Sequence, residues 1–283
     1  MKKIVEERLE RMKPLAKERG FFLEYGEKIE NHCVFSGIII KDENKKTNIF
    51  PCVYYEAYWD ELSDIELLEE MIQFTRNAPE IDTKIFFNEE YFSEHVFPMI
   101  LDLDNEETIR ELDIIYRKTD CFLILFYLRV SEEGIMKITN SFFERIAVTE
   151  EDKVKLAFAN AEKNLVVQTI EEVISEILET PFLENGVERF EKQIYVVSNR
   201  KKQYGASAII LPKTYEILRE YLGDRFIILP SSLHECIAVS YEENQLEELV
   251  DIVRCVNCEV VEDVDKLSDH IYLCDKTGIS LLR

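Results

Sequence analysis

One stretch constrains this chain more than any other: the unbroken apolar run from Cys121 to Leu128, continued by Arg129 and Val130. Side chains of a strand alternate between its two faces, so a run with no polar residue on either face reads as a central strand covered on both sides. Eight residues fall far short of the roughly 20 that cross a bilayer. The run therefore belongs inside a globule. Gly134–Thr139, across the turn at 131–134, is its expected neighbour.

Residues 2–19 place Ile4, Val5, Leu9, Met12 and Leu15 at helical spacing, with Pro14 inside and Gly20 as the stop. Val34–Ile40 and Thr47–Phe50 flank a polar turn and predict a hairpin. Ser63 with Glu66 three residues on is a capping-box pattern, opening a helix striped with Leu62, Ile65, Leu68, Met71, Ile72 and Phe74. Helix is expected over 140–179. Beyond it the pattern predicts strands at 193–197 and 206–211, a helix at 213–222, strands at 225–229 and 235–239, a helix at 243–253, and strands at 258–261 and 270–273. Helices alternate with hairpins rather than single strands. The expected class is α+β, with mixed, largely antiparallel sheets and packed helices. Pro181, Asn185 and Gly186 mark 180–186 as the expected boundary between an acidic N-terminal domain, 1–183, and a C-terminal α+β domain, 184–283.

The 57 acidic and 34 basic residues give a formal net charge of -23. Such an excess repels bare nucleic acid and anionic membrane, so neither is an expected direct partner. The N-terminal residues carry charges throughout and lack the apolar core of an export signal. Seven cysteines without disulfide-framework spacing read as reduced thiols, and the expected location is cytoplasmic. From Asp60 to Asp113 there are 17 acidic residues against Arg76, Lys84 and Arg110. Three readings stay open: a solvated surface, an acidic face for a basic protein partner, or a mimic of a phosphate backbone.

The segment Ile227–Val239 holds Ser231, Ser232, His234, Glu235 and Cys236 between apolar runs. On a strand, Ser232, His234 and Cys236 would share one face, and Ser231 and Glu235 the other. His234 and Glu235 would then point apart. No nucleophile-elbow pattern surrounds either serine. One reading is a bend whose hydroxyls bond local backbone while His234 donates to a carbonyl. The other is a ligand- or partner-binding rim formed with Tyr204 and His270, where Asp269 or His270 completes a set only by tertiary contact. Cys255 and Cys258 have zinc-ligand spacing but no second pair. They are expected at a helix end and a strand start, as independent buried thiols. Arg200, Lys201 and Lys202 read as a solvated turn or, beside Tyr204, a small anion contact. No metal or cofactor motif is present. Tyr55, Tyr58 and Trp59 lie at i, i+3 and i+4, a core stripe or, if exposed, an acid-rimmed contact patch.

Three C-terminal motifs carry a family resemblance: Arg200–Ser207, Ile228–Glu235 and Leu267–Tyr272, with Phe50–Tyr58 and its acidic helix as a weaker fourth. From about residue 30 onward the chain resembles an uncharacterised bacterial family, domain of unknown function 5688. The resemblance implies an intracellular α/β protein and no assigned activity. The Cys255/Cys258 pair departs from the family pattern. The expectation is a non-enzymatic protein whose acidic surface binds a basic protein. Two alternatives are an enzyme or small-ligand sensor with a C-terminal pocket around His234, and a nucleic-acid mimic.

Overall fold

The computed structural model describes residues 1–31, 33–45, 50–77, 82–132, 134–178 and 193–282. Backbone contacts divide the chain into two units, Met1–Thr83 and Lys84–Arg283. The expected boundary at 180–186 lies outside the described residues. The main core of the second unit draws on both sides of it, from Phe122 and Ala157 to Phe226 and Tyr272.

In the first unit, α1 (Lys2–Glu18) turns Val5, Leu9, Met12 and Ala16 inward. Gly20 then takes a φ of 80°, a backbone state that costs glycine nothing. Next, β1 (Phe21–Glu30) and β2 (Cys33–Asp42) pair antiparallel from Phe21 opposite Asp42 to Glu30 opposite Cys33. A short third strand, β3 (Cys52–Tyr54), joins the other edge of β2. The expected hairpin partner of Val34–Ile40 falls mostly outside the described residues, and β2 does pair antiparallel with the strand that follows it, β3. Val34–Ile40 lies in β2, which also pairs with β1 on its other edge, while 46–49 lie outside the described residues. An exposed Phe22 and the adjacent Glu27 and Lys28 break the alternation that would have exposed β1 in the sequence.

A 3-10 turn, Ala57–Glu61, buries Trp59 completely and leads into α2 (Asp64–Asn77). The capping box forms as read: Ser63 N–H donates to Glu66 Oε2 at 2.9 Å, and Glu66 N–H to Ser63 Oγ at 3.3 Å. Leu67, Leu68, Met71 and Ile72 face α1 and β2. Arg8 of α1, itself buried, donates to the carbonyls of Trp59 and Leu62. Asp64 lies 3.1 Å from Arg8 Nε and accepts from Arg11 at 2.7 and 3.1 Å, so the two helices are clasped by charge as well as packing.

The second unit opens with α3 (Glu89–His95), β4 (Val96–Asp102), α4 (Glu106–Glu111), β5 (Tyr116–Lys118), β6 (Phe122–Arg129) and β7 (Ile135–Lys137). As the apolar run requires, β6 is central. It pairs with β4 along one edge and with β5 and β7 along the other, and Phe122 to Leu128 are all buried. Two helices follow, α5 (Asn140–Arg145) and α6 (Glu150–Lys163), capped by Thr139 and Thr149. The expected helical stretch is then interrupted by β8 (Leu165–Thr169) before α7 (Ile170–Leu178).

The remaining elements are β9 (Ile194–Asn199), a 3-10 helix Gly205–Ile210, α8 (Pro212–Leu222), β10 (Arg225–Pro230), β11 (Cys236–Ser240), α9 (Leu246–Glu259), β12 (Tyr272–Asp275) and β13 (Gly278–Leu281). Six strands form an antiparallel sheet in the order β13-β12-β10-β11-β9-β8. The α+β class holds. Strand β10 is covered on both faces: Phe226 and Ile228 enter the main core with Leu218 and Leu222 of α8, while Ile227 and Leu229 pack with Val250 and Val253 of α9.

Two expected strands are corrected. The stretch expected as a strand at 206–211 falls in the 3-10 helix Gly205–Ile210 and its cap, because Gly205, Ala206, Ser207 and Ala208 are small enough to lie buried with their backbone against β4 and β9. Residues 258–261 do not form a strand either. Helix α9 runs on to Glu259, since Asn257 extends its inward stripe and donates to Ser268 O at 3.0 Å and Asp269 Oδ1 at 2.7 Å. Among the described residues no helix is long and apolar enough to cross a membrane.

Candidate functional site

Residues 231–235 form a loop between β10 and β11, not a strand, so face alternation does not place their side chains. Ser231 N–H and Ser232 N–H both donate to Glu235 O, at 3.3 and 3.1 Å, which closes a tight bend. Ser232 Oγ accepts from His234 N–H at 3.0 Å, the local backbone role expected of a serine in a turn. Leu233 is buried and ties the bend to two other segments. Its N–H donates to Asp265 O at 2.7 Å, and its carbonyl accepts from Ala206 N–H at 3.2 Å.

His234 links the same three segments through its ring. Nδ1 accepts from the Tyr204 backbone N–H at 3.0 Å, and Nε2 stands 3.2 Å from Asp265 Oδ1. A ring nitrogen that accepts carries no proton, so this network fixes the tautomer with hydrogen on Nε2, directed at the carboxylate. The expected donation to a carbonyl is replaced by donation to Asp265. Tyr204 reaches the imidazole because its own φ is 52°, left-handed for a residue with a side chain. Its ring stands 5.5 Å from the His234 ring and 5.6 Å from that of Tyr127. Beneath it, Ser198 Oγ donates to His234 O at 2.7 Å, and Ser207 Oγ donates to Tyr204 O at 3.0 Å.

Tyr204, Ser232 and His234 are therefore one network. His270 is not in it: its side chain is exposed and its N–H donates to Ser268 Oγ at 3.2 Å. Glu235, beside His234, lines a different space, a polar cavity of about 210 Å³ shared with Gln168, Glu176, Asn199, Arg200 and Lys202. There Glu176 is held by Gln168 and by Lys202 at 3.4 Å, which keeps its carboxyl below the usual range. Lys201 reaches Glu132 at 4.0 Å. Two of the three turn cations thus already face carboxylates.

Cys255 and Cys258 are exposed on α9, one helical turn apart, and not buried as expected. Among the described residues no group of three or more His, Cys, Asp or Glu side chains is disposed to hold a metal. The buried thiols differ. Desolvation pushes Cys236 far up and Cys274 to about 12, so both stay protonated.

The aromatic stripe divides. Trp59 is core, packed edge-on against Tyr55 at 5.6 Å, while Tyr58 is 41% exposed. Just beyond, α2 turns outward a face bearing Glu66, Glu69 and Glu70, bordered by Ile65 (48% exposed) and Phe74 (57% exposed). At 100° per residue these side chains span one half of the helix, and the buried residues the other. Glu66 serves the capping box. Glu69 and Glu70 have no cationic partner among the described residues, and neither has Glu61 before them. Other carboxylates of the 60–113 stretch are paired, among them Asp64, with Arg8 and Arg11, and Glu106, with Arg110 and Lys118.

Fold and charge define an acidic α+β protein built of two units, with a His–Asp–backbone strap in the second and an acidic helix face in the first. Its family follows from sequence: the chain belongs to the Family of unknown function (DUF5688), whose model matches residues 2–276. That match takes in α1 and β1, ahead of the motifs that carry the resemblance. No curated protein matches the chain, and no solved structure does.

Proposed function

We propose that the protein is a non-enzymatic binding protein whose acidic surface engages a basic protein partner, with the outer face of α2 as the contact. The observation that carries this reading is the composition of that face. Glu69 and Glu70, without a cationic partner among the described residues, stand between two large apolar side chains, Ile65 and Phe74, that are about half exposed, and Glu61 lies just ahead of the helix. An acidic face kept only for solubility has no use for exposed Ile and Phe, whereas a contact patch uses them as anchors inside a charged rim. A net charge of -23 adds long-range attraction for a cation-rich surface. The His234 network favours the same reading, because both ring nitrogens are engaged in holding Tyr204 and Asp265.

The test uses a fluorescent amphipathic helical peptide of alternating Lys and Leu faces, titrated by anisotropy. Binding is expected at 50 mM NaCl and is expected to weaken about tenfold or more at 300 mM. Glu61→Gln/Glu69→Gln/Glu70→Gln should weaken it by a similar factor, and Phe74→Ala should weaken it at both salt concentrations. Glu243→Gln/Glu248→Gln, exposed acids of the other unit, should change it little. Salt-insensitive binding, or equal loss in both sets of variants, would refute the assignment to α2.

A further inference from the structure

The second unit encloses a larger space that the acidic face does not use. A cavity of about 590 Å³ opens between the start of β6, the N-terminal half of α8 with the 3-10 turn before it, and the β12–β13 hairpin. Its walls are mainly apolar, with Phe122, Ile124, Phe158, Ile209, Leu211 and Tyr215 contributing. The ring of Tyr215 is fixed by stacking on Phe226 at 5.9 Å and by its hydroxyl, which donates to Asp224 O at 3.3 Å. Cys121, another wall residue, donates its thiol to Ile279 O at 3.5 Å across the mouth of the hairpin. The wall is thus built from side chains that hold one another in place.

The rim carries charge of both signs, and the two signs differ in what they are doing. Glu216 is engaged by Lys213 at 3.0 Å. Asp275 accepts from Thr277 N–H at 2.7 Å and from Thr277 Oγ1 at 2.6 Å, which closes the β12–β13 turn. Arg219 and Lys276 have no carboxylate within 4.0 Å among the described residues. A preformed apolar cavity in the size range of small-molecule sites, with two cations at its mouth that stand in no close ion pair among the described residues, selects by chemistry. Such walls suit an apolar body and such a rim an anionic head.

We propose that this cavity binds an organic carboxylate with an apolar body, the chain or ring lying against Phe122, Ile124 and Tyr215 and the head group meeting Arg219 and Lys276. This is independent of the α2 face, and neither proposal falls with the other.

The probe is 8-anilinonaphthalene-1-sulfonate, itself an apolar anion that fluoresces on leaving water. Saturable binding of one probe per chain is expected. Dodecanoate below its micelle concentration should displace the probe at least about tenfold more effectively than dodecanol or dodecyltrimethylammonium, which share its chain but not its charge. In Arg219→Gln/Lys276→Gln, with an unchanged thermal midpoint, that preference should disappear. Ile210→Trp, which fills the cavity, should abolish probe binding. If this variant does not fold, the head-group comparison on the unaltered protein still decides. Absence of saturable binding, or equal displacement by all three dodecyl compounds, would overturn the proposal.

Discussion

Gly205 shows how closely the second unit is built around His234. A Cβ added at this position would stand 2.5 Å from His234 O and 2.7 Å from Asn199 N, and closer still to Ser198 Oγ. Two of those obstacles are backbone and cannot rotate away. Gly205→Ala is therefore expected to cost about 1–3 kcal/mol in urea unfolding, the usual range for forcing a methyl into a packed interior. A variant as stable as the parent would show that the Ser198–His234–Tyr204 contacts are loose. The sequence singled out Tyr204, Ser232 and His234, which do converge, and also Ser231 and His270, which the network leaves out. What it lacked was Asp265. That residue lies 31 positions from His234, and nothing local ties a loop carboxylate to a distant imidazole. The nearby Asp269, named instead, is turned to Asn257.

Elements with strong internal periodicity were the legible ones. The unbroken apolar run of β6, the capping box of α2 and the hairpin of β10 and β11 each follow from residue pattern alone. Elements whose signal lies in their neighbours were missed. The exposed side of β1 carries Phe22, β8 follows α6 after a single residue, and the 3-10 turn at 205–210 is specified by close backbone packing rather than period. At this scale the clasp between α1 and α2 gives a pH prediction. Arg11 first, then Arg8, holds the Asp64 carboxyl below its ordinary value near 3.8. A depressed folded pKa contributes stability that is complete above the unfolded value and is lost as pH falls through the folded one. Asp64→Asn should destabilise the first unit at pH 7 by about 1–3 kcal/mol, since it withdraws the partner of a buried guanidinium. It should also flatten the loss of stability between pH 5 and pH 2.5. The single tryptophan, Trp59, lies in that unit's core and reports its unfolding directly. An unaltered acid limb would show that Asp64 contributes nothing to it.

For the whole molecule, composition foretold an acidic globule, and the distribution of its charge is now resolved into elements. Asp64 and Glu106 are consumed by internal ion pairs, whereas Glu69 and Glu70 on the outer face of α2 have no cationic partner among the described residues and lie beside exposed Ile65 and Phe74. Of the three aromatic residues the sequence grouped, Trp59 is buried and Tyr55 packs against it, which leaves Tyr58 exposed. The two proposed surfaces lie in different units and answer to different ligands, a basic protein and an apolar carboxylate. The most direct test of the first is a hydrogen-exchange footprint of the basic amphipathic peptide on the intact chain at low salt. Slowed exchange is predicted over residues 61–77 and should vanish at 300 mM NaCl. Protection confined to the second unit, or none anywhere while the peptide is bound, would contradict it.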